Sequence, residues 1–421
     1  MSAAPESPFA IPAYRRLFTA HTTALIGSGV STIALALLAI DIAPDRAAAV
    51  LGVALAIKMV AYVVVAPFAG QVGSLLPPKR LLISLDVLRA GVVVCMPWIF
   101  SEWQIYLAIG VISAAAALFT PTYQALLPGI VSHEKAYLRA LSWAQIAASV
   151  EQIASPLLAA TLLILLTFSD LFFLNAATFA LSGLLISLTP LHAEARSMVS
   201  ANPWWGVGAY LRTPRLRAVA AAYVGIAAAS AMVIVNTAVY VQQHLGATES
   251  VMALILAAAG LGTVIGALIV PRFEFSPRVW LIAGNGVMAL ALFAGVFQVT
   301  ALGLGVVWLL AGFGLGLAQT PVGTVVRRSC HERHRAAFFA ANFTLSHAAW
   351  LLTYLLAGFL GSLQQWPTAF FVMACLPMLA AIICFALYPQ PDEIVLTHSH
   401  DGVQHRHAFF IDESHTSWPP R

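Results

Sequence analysis

Long, almost uninterrupted apolar runs recur along the whole chain, each separated from the next by a short polar segment. A run of about 20 apolar residues is long enough to cross the hydrocarbon core of a bilayer as an α-helix. Inside that core every backbone N–H and C=O group needs a partner within the protein, and a helix supplies these partners within one segment. The sequence therefore predicts an all-α membrane protein with many spans.

The composition leaves little room for soluble domains. Of the 421 residues, 60% are hydrophobic and 9% are charged, whereas soluble globular domains carry about 25% charged residues. Twelve spans of about 20 residues would use about 240 residues. The remaining loops are too short to hold a catalytic domain, so we predict that the protein is not an enzyme and needs no cofactor.

We predict twelve spans in two sets of six, divided by a longer polar connection. The domain organisation is an N-terminal segment at 1–16, a first bundle at 17–188, a linker at 189–215, a second bundle at 216–388 and a histidine-rich tail at 389–421. The predicted spans are 17–43, 48–69, 81–100, 103–127, 138–166, 168–188, 216–242, 250–270, 279–298, 301–323, 337–361 and 367–388.

The lysines and arginines in the loops and at the span ends fall mainly on one side of the predicted topology. Basic residues are retained in cytoplasmic loops, and with a cytoplasmic N-terminus the outer loops hold Arg46 alone. We therefore predict a multi-pass protein of a cell inner membrane with both termini in the cytoplasm. The sixteen basic residues on the cytoplasmic side are Arg15, Arg16, Lys79, Arg80, Lys135, Arg139, Arg196, Arg212, Arg215, Arg217, Arg272, Arg278, Arg327, Arg328, Arg333 and Arg335.

Two matching six-helix bundles are typical of alternating-access transporters, in which the halves rock about a site near the bilayer midplane. A channel is the other structural option, but no segment resembles a selectivity filter. The predicted partners are the lipid bilayer, a small solute or metal cation and protons. No nucleic acid is expected, and we predict a monomer.

The segment 70-GQVGSLLPPKR-80 resembles the loop between helices 2 and 3 of the major facilitator superfamily. Ser74 stands where that family has an acidic residue. The resemblance implies the major facilitator fold and a gate at the cytoplasmic loop. The matching residues are Gly70, Gly73, Lys79 and Arg80.

The third span begins with Asp86 and Arg89, which are three residues apart and share a helix face. We predict that they supply a substitute charge pair against Lys79 or Arg80 in the cytoplasmic gate.

Further stretches resemble one branch of the superfamily, the nickel-resistance permeases. They include 57-IKMVAYVVVAPFAG-70, 119-FTPTYQALLP-128, 344-TLSHAAWLLTYLLAG-358 and the tail sequence HRHAFFIDESHTSWP. This resemblance implies export of a divalent transition cation, nickel first and cobalt or zinc next.

Ionisable side chains inside spans are costly and usually functional. Glu151 in span 5 is the leading candidate for a carboxylate that holds a proton and a cation in turn, with His347 in span 11 as an imidazole ligand or proton carrier. Lys58 in span 2 would keep Glu151 ionised or occupy the cation's place when the site is empty. Alternatively, Lys58 and Glu151 would form a structural ion pair. His347 has the alternative role of a helix–helix contact, and Asp41 has that of a solvated helix end.

Neutral polar residues inside the spans are further candidates for the predicted substrate path. Gln124, Asn236 and Asn342 are candidate contacts for the cation, and Met232 lies one turn before Asn236. Two glycine-rich stretches, one with Gly260, Gly262 and Gly266 in span 8 and one with Gly312, Gly314 and Gly316 in span 10, indicate close helix packing.

The tail carries two H-x-H pairs, and imidazole suits divalent Ni, Co, Cu and Zn. In an extended chain alternate side chains share a side, so each pair is predicted to chelate a metal, without a fixed scaffold. The alternative is a solvated tail. The candidate metal ligands are His398, His400, His405, His407, His415, Asp401 and Asp412.

A second cluster, Cys330, His331 and His334 in the loop 327-RRSCHERHR-335, has two interpretations, a metal site and a basic loop that fixes topology; the basic loop is favoured. The function predicted from the whole sequence is proton-coupled efflux of a divalent transition cation. The alternatives are an exporter of drugs, siderophores or other small organic compounds, and a metal sensor built on a transporter body.

Overall fold

The computed structural model describes residues 7–190, 202–297, 299–400, 403–412, 415 and 417–418. The chain divides into two compact units, Met1–Val199 (unit 1) and Ser200–Arg421 (unit 2). Each unit is a bundle of long helices with short connections, as the apolar runs predict.

Unit 1 contains seven α-helices in its described part. A 3₁₀ turn at Ala66–Phe68 joins the second of them to the third. They are α1 (Pro12–Ile42), α2 (Ala47–Val65), α3 (Ala69–Leu75), α4 (Pro78–Cys95), α5 (Glu102–Ile130), α6 (Glu134–Leu162) and α7 (Phe168–Ser187).

Unit 2 contains eight α-helices and one hairpin in its described part. The helices are α8 (Trp205–Arg212), α9 (Pro214–Ala231), α10 (Glu249–Ile269), α11 (Pro277–Gly295), α12 (Ala301–Gln319), α13 (Val322–Arg328), α14 (Arg335–Ser362) and α15 (Trp366–Leu387). The hairpin strands are β1 (Val395–His400) and β2 (Val403–Ala408), and α8 lies within the segment predicted as linker.

The helices have equivalent neighbours in the two units. In unit 1, α1 packs against α6 and α7, α4 against α5 and α7, and α2 against α5. In unit 2, α9 packs against α14 and α15, α11 against α12 and α15, and α10 against α12. When each helix is numbered by the membrane span it forms, each of these packed pairs in unit 1 has an equivalent in unit 2 six spans later. The pairs 1·5, 1·6, 3·4, 3·6 and 2·4 correspond to 7·11, 7·12, 9·10, 9·12 and 8·10. The predicted arrangement of two matching six-helix bundles is confirmed.

Eleven helical segments of the described residues are long and apolar enough to cross a membrane. The predicted fifth span corresponds to α6, which is 29 residues long but is not among the eleven. Gln145, Glu151 and Gln152 lower its hydropathy. Since α6 occupies in unit 1 the place that α14 occupies in unit 2, we count it as the twelfth membrane helix.

Proline marks the points where two predicted spans are interrupted. Pro67 lies in the 3₁₀ turn between α2 and α3, and Pro321 lies between α12 and α13. Proline cannot donate a backbone hydrogen bond and its ring clashes with the preceding turn of a helix. The segment 70–80, predicted as a loop, is largely helical. Gly70 and Gly73 lie in α3, and α4 begins at Pro78.

The glycine-rich stretches bring α10 and α12 into backbone contact. A Cβ added to Gly262 would lie 2.0 Å from Leu309 O, and one added to Gly312 would lie 1.9 Å from Ala259 O. Only glycine permits so close an approach of two helices in a membrane. The predicted packing role of these glycines is confirmed.

Two basic side chains close the end of α7. Lys79 Nζ donates to Thr189 O at 2.8 Å, and Arg16 Nη1 donates to Leu188 O at 2.5 Å. The last carbonyls of a helix lack partners within the helix and carry partial negative charge, which cations stabilise. Lys79, a predicted gate residue, thus has a structural contact within unit 1, and Arg80 is exposed.

The tail has more structure than the sequence indicated. Strands β1 and β2 pair antiparallel, with His398 opposite His405 and Leu396 opposite His407. Because side positions alternate along a strand, this register places positions 398, 400, 405 and 407 on one face of the hairpin. The expectation that the tail lacks a scaffold is corrected.

Candidate functional site

Glu151 lies half-buried near the middle of α6. Ser155, one turn along the same helix, donates its hydroxyl to Glu151 Oε1 at 3.3 Å. A Cβ placed on Gly29 of α1 would lie 2.0 Å from Glu151 Oε1 and 2.2 Å from Ser155 Oγ. The carboxylate therefore contacts the backbone of α1, in a space that is open only because Gly29 has no side chain.

Lys58 is near this carboxylate but does not pair with it. The ammonium acts electrostatically on Glu151 and lies 5.8 Å from the centre of the Tyr62 ring. Within the described part of the chain, no ion pair joins Lys58 to Glu151. The structural pair considered above is therefore absent, and Glu151 keeps a serine hydroxyl as its hydrogen-bond donor.

The other two candidates in unit 1 differ in their surroundings. Gln124 in α5 is half-buried, and its carbonyl oxygen is enclosed without a hydrogen-bond partner among the described residues. A buried acceptor without a donor is costly, and a cation or a protonated ligand would satisfy it. Asp41 is exposed at the C-terminal end of α1, as expected of a solvated helix end.

Gly29 and Ser155 were missed by the sequence reasoning, and Gly29 provides a direct test. We expect Gly29→Ala to displace the Glu151 side chain, because the new methyl group would occupy the position of its carboxylate. Under the function proposed below, proton-coupled flux should fall by up to about 100-fold, the scale on which a misplacement of about 1 Å acts in a reacting site. Flux in reconstituted vesicles measures this. Gly52→Ala in α2, where an added Cβ meets nothing within 4 Å, is the matched control, and equal effects of the two substitutions would contradict the assignment.

Asp86 and Arg89 pair with each other rather than with Lys79 or Arg80, which corrects the predicted pairing. The pair is closed within α4, and the side chains are 0% and 8% exposed, respectively. Ser182 of α7 donates to Asp86 Oδ2 at 2.8 Å. The Arg89 guanidinium lies 4.3 Å from the Phe119 ring centre and 4.5 Å from that of Phe179.

His21 of α1 is a further polar residue of this region that the sequence reasoning did not single out. Its ring stacks on Tyr123 of α5 with the centres 4.6 Å apart, and it lies within electrostatic range of Arg89. Its position close to the start of the predicted first span was the available signal. The buried pair and this histidine tie α1, α4, α5 and α7 together.

His347 lies in unit 2, half-buried in α14. Its Nδ1 is 2.8 Å from Phe343 O, and its ring stacks on the Phe343 ring at 3.9 Å. A carbonyl oxygen only accepts, so Nδ1 carries a proton, and in the neutral ring Nε2 is then the unprotonated nitrogen. A neutral imidazole can take up a cation or a second proton at its unprotonated nitrogen.

Trp350, one turn further along α14, contacts His347 edge to face at 5.0 Å. Its indole N–H is buried and has no acceptor among the described residues. A buried N–H group without a partner is rare and calls for an explanation. An oxygen atom of a bound ligand would provide one.

Asn236 belongs to a π-helical stretch that continues α9. Its amide nitrogen donates to Ala357 O at 3.1 Å and to Met232 Sδ at 3.2 Å, and a Cβ on Gly361 would lie 2.2 Å from its Oδ1. The π-helical segments Met232–Asn236 and Val239–His244 are of a kind often found at functional sites. The donors of Asn236 are thus directed to α14 and to the thioether.

Asn342 is enclosed in a buried chain of hydrogen bonds. Tyr210 OH donates to Asn342 Oδ1 at 2.9 Å, and Asn342 Nδ2 donates to Tyr223 OH at 3.3 Å. Burial raises the pKa of Tyr210 well above its ordinary value, so the phenol remains a donor. Asn342 therefore joins α8, α9 and α14, and it has less capacity left for a cation than the sequence indicated.

The predicted metal ligands of the tail fall into two groups. Asp401 lies outside the described residues, and of His398, His400 and His405 only the backbone is described. The others are near one another: His415 Nδ1 is 3.1 Å from Asp412 Oδ1, and the rings of His407 and His415 are 5.4 Å apart. Where side chains are described, no three histidine, cysteine or acidic groups converge as a metal site requires.

The cluster of Cys330, His331 and His334 is dispersed in the structure. Cys330 Sγ contacts Val326 O at 3.4 Å, and burial raises the pKa of its thiol to about 12. His334 is buried against the Trp205 ring at 4.8 Å. A protonated thiol is a poor metal ligand, so this loop is not organised as a metal centre.

Residues 219–406 match the family model of the Major Facilitator Superfamily. The multidrug resistance protein MdtG of Dickeya zeae (strain Ech586) is 27% identical over 156 residues, which are 37% of this chain and 38% of that protein. The matching part thus spans about two fifths of the curated relative.

Solved structures match over most of the chain. The human organic anion transporter MFSD10 (TETRAN) superposes with a TM-score of 0.78 at 13% identity, over 91% of this chain and 100% of that one. A bacterial homologue of the iron transporter ferroportin, in its outward-facing state, gives a TM-score of 0.76 at 14% identity, over 89% and 98%. The E. coli fucose:proton symporter FucP gives 0.70 at 14%, also over 89% and 98%. The protein is therefore a multi-pass membrane protein with the major facilitator fold.

Proposed function

We propose that the protein is a secondary active transporter that exports a divalent transition-metal cation, nickel first and cobalt or zinc next, in exchange for protons. In this proposal it lies in a bacterial inner membrane with both termini in the cytoplasm. The observation that carries the proposal is the Glu151 carboxylate, which lies inside a membrane helix without an ion-pair partner among the described residues.

Exchange follows from the chemistry of one carboxylate. In an apolar environment the charged form is disfavoured, so the group takes up either a proton or a cation. It cannot hold both at once, and binding of one displaces the other. Lys58 is near enough to stabilise the ionised carboxylate between these two occupancies, while Gly29 fixes its position.

His347 and the tail hairpin support a transition metal in particular. In the neutral ring of His347 the unprotonated nitrogen is Nε2, and imidazole is a good ligand for divalent nickel, cobalt and zinc. The register of β1 and β2 gives histidine positions 398, 400, 405 and 407 a common face, which suits capture of cytoplasmic metal. The name of one structural neighbour, a ferroportin homologue, agrees with a metal substrate.

An exporter of small organic compounds is the second candidate. The buried indole N–H of Trp350 favours this candidate. An N–H donor can form a hydrogen bond with an oxygen atom of an organic compound, but it cannot coordinate a metal cation. The names of two similar proteins, a multidrug resistance protein and an organic anion transporter, point the same way.

One experiment separates the two candidates. A strain lacking this transporter is challenged with graded Ni²⁺, Co²⁺, Zn²⁺ and a panel of toxic organic compounds, and is then rescued with wild type, His347→Ala, Trp350→Phe or a chain ending at Pro391. We expect selective rescue against metals that is weakened by His347→Ala and unchanged by Trp350→Phe. Rescue against organic compounds alone, lost in Trp350→Phe and retained after tail removal, would establish the second candidate instead.

A further inference from the structure

The described residues of the tail, 389–400, 403–412, 415 and 417–418, fold back onto unit 2. We call them the strap. Two acidic residues, Asp392 and Asp412, connect the strap to basic residues at the ends of the helices, and apolar side chains lie between these two anchors. The anchors and the apolar contact have no part in the exchange site described above.

Asp392 is the first anchor. Its carboxylate lies 3.6 Å from Arg215 Nη1 and 3.4 Å from Arg328 Nη1, and Tyr388 donates its hydroxyl to it at 3.0 Å. Arg215, at the start of α9, is 1% exposed and also donates to Glu393 O at 3.0 Å. A buried guanidinium needs such partners, so α9, α13 and the strap are held at one point.

Asp412 is the second anchor and is itself buried. Arg333 Nη2 lies 3.7 Å and His331 Nε2 3.8 Å from its Oδ2, and the backbone N–H of His415 donates to Oδ1 at 2.9 Å. Arg333 and His331 belong to the connection between α13 and α14. The strap is therefore attached to this loop as well.

An apolar contact joins the two anchors. Phe409 and Ile411 are 3% and 2% exposed, and the Phe409 ring packs edge to face on Trp418 at 5.1 Å. The Trp418 ring in turn lies 5.5 Å from the Arg215 guanidinium. Buried aromatic side chains dominate the energetics of such contacts, so the strap is a docked element.

The strap crosses the ends of four membrane helices on the face of unit 2 that carries the tail. It contacts the start of α9, the end of α13, the loop that leads into α14 and the residues that follow α15. Helices that are tied together at one end cannot move separately there. We propose that the docked strap is an autoinhibitory restraint on these helix ends, and that its release increases the rate of transport.

Hydrogen exchange on the full-length protein in lipid nanodiscs tests the restraint itself. We expect Asp392→Asn to speed exchange in β1, β2, the first turns of α9 and the residues of α13 by about tenfold or more, the effect of losing a hydrogen bond to a charged group. Glu393→Gln is the matched control, because it removes a charge from the neighbouring exposed residue and should change nothing. Phe409→Ala, which weakens the apolar contact, should act like Asp392→Asn.

Transport gives the second readout, and this one rests on the proposed function. In proteoliposomes, Ni²⁺ flux through Asp392→Asn should rise by up to about tenfold, the factor by which the released population grows. Released strands with unchanged exchange in α9 and α13, or with unchanged or slower Ni²⁺ flux, would overturn the restraint. If the wild type carries no Ni²⁺, the proposed function fails, and exchange at the helix ends decides on the strap alone.

Discussion

Glu151→Gln should abolish proton-coupled exchange. Glutamine retains the shape of the side chain and still accepts the Ser155 hydrogen bond, but it cannot bind a proton or neutralise a cation. Loss of a group that transfers a proton costs about 100-fold or more in rate. We therefore expect Ni²⁺ flux in sealed proteoliposomes to drop at least that far, and the flux that remains to be indifferent to the pH gradient.

Asp41→Asn is the matched control for this experiment. Asp41 is also an acidic residue of a membrane helix, but it is exposed at the end of α1. Its replacement should leave flux and pH dependence unchanged. Metal flux that tracks the pH gradient equally well in wild type and Glu151→Gln would remove the carboxylate from the mechanism, while the fold would stand.

The repeated helix arrangement could be predicted from sequence because it depends on one property. Twelve apolar runs and a polar break at 189–215 indicate how many times the chain crosses the membrane and how these crossings divide into two sets. Close packing at Gly262 was also predictable, since small residues at helical spacing indicate close approach, but its partner Leu309 was not. These signals are local in the chain.

The contacts within the candidate site could not be predicted in the same way. Gly29 has no chemistry of its own and becomes important because α1 packs against α6, where Glu151 lies. The sequence offers several possible cationic partners for Asp86, and spacing alone could not exclude Lys79. Asn342 looked available until the packing of α8 placed Tyr210 on it.

The tail shows the same limitation. Alternating histidines indicate which residues share a side of an extended chain, but not which strand pairs with them. The pairing of β1 with β2 is local, but the attachment of Asp392 to Arg215 joins residues far apart in the chain. Long-range ion pairs of this kind leave no periodic signal in the sequence.

Asp86→Ala should be strongly destabilising. It removes the carboxylate that balances the Arg89 guanidinium, which is 8% exposed and lies between the rings of Phe119 and Phe179. Breaking a buried ion pair from one side costs about 3–5 kcal/mol, because the remaining charge is buried without its partner. In a domain of this size the apparent Tm should fall by about 10 °C, as measured by thermal unfolding in detergent.

Two further variants show that the loss arises from an unpaired charge. Asp86→Leu combined with Arg89→Leu removes both charges, and such replacements are often close to neutral, so the double variant should recover most of the lost stability. Glu102→Gln breaks the pair with Arg46, whose side chain is 69% exposed, and should cost no more than about 1 kcal/mol. A double variant as unstable as Asp86→Ala would mean that α4 and α7 depend on the Ser182 hydrogen bond rather than on charge balance.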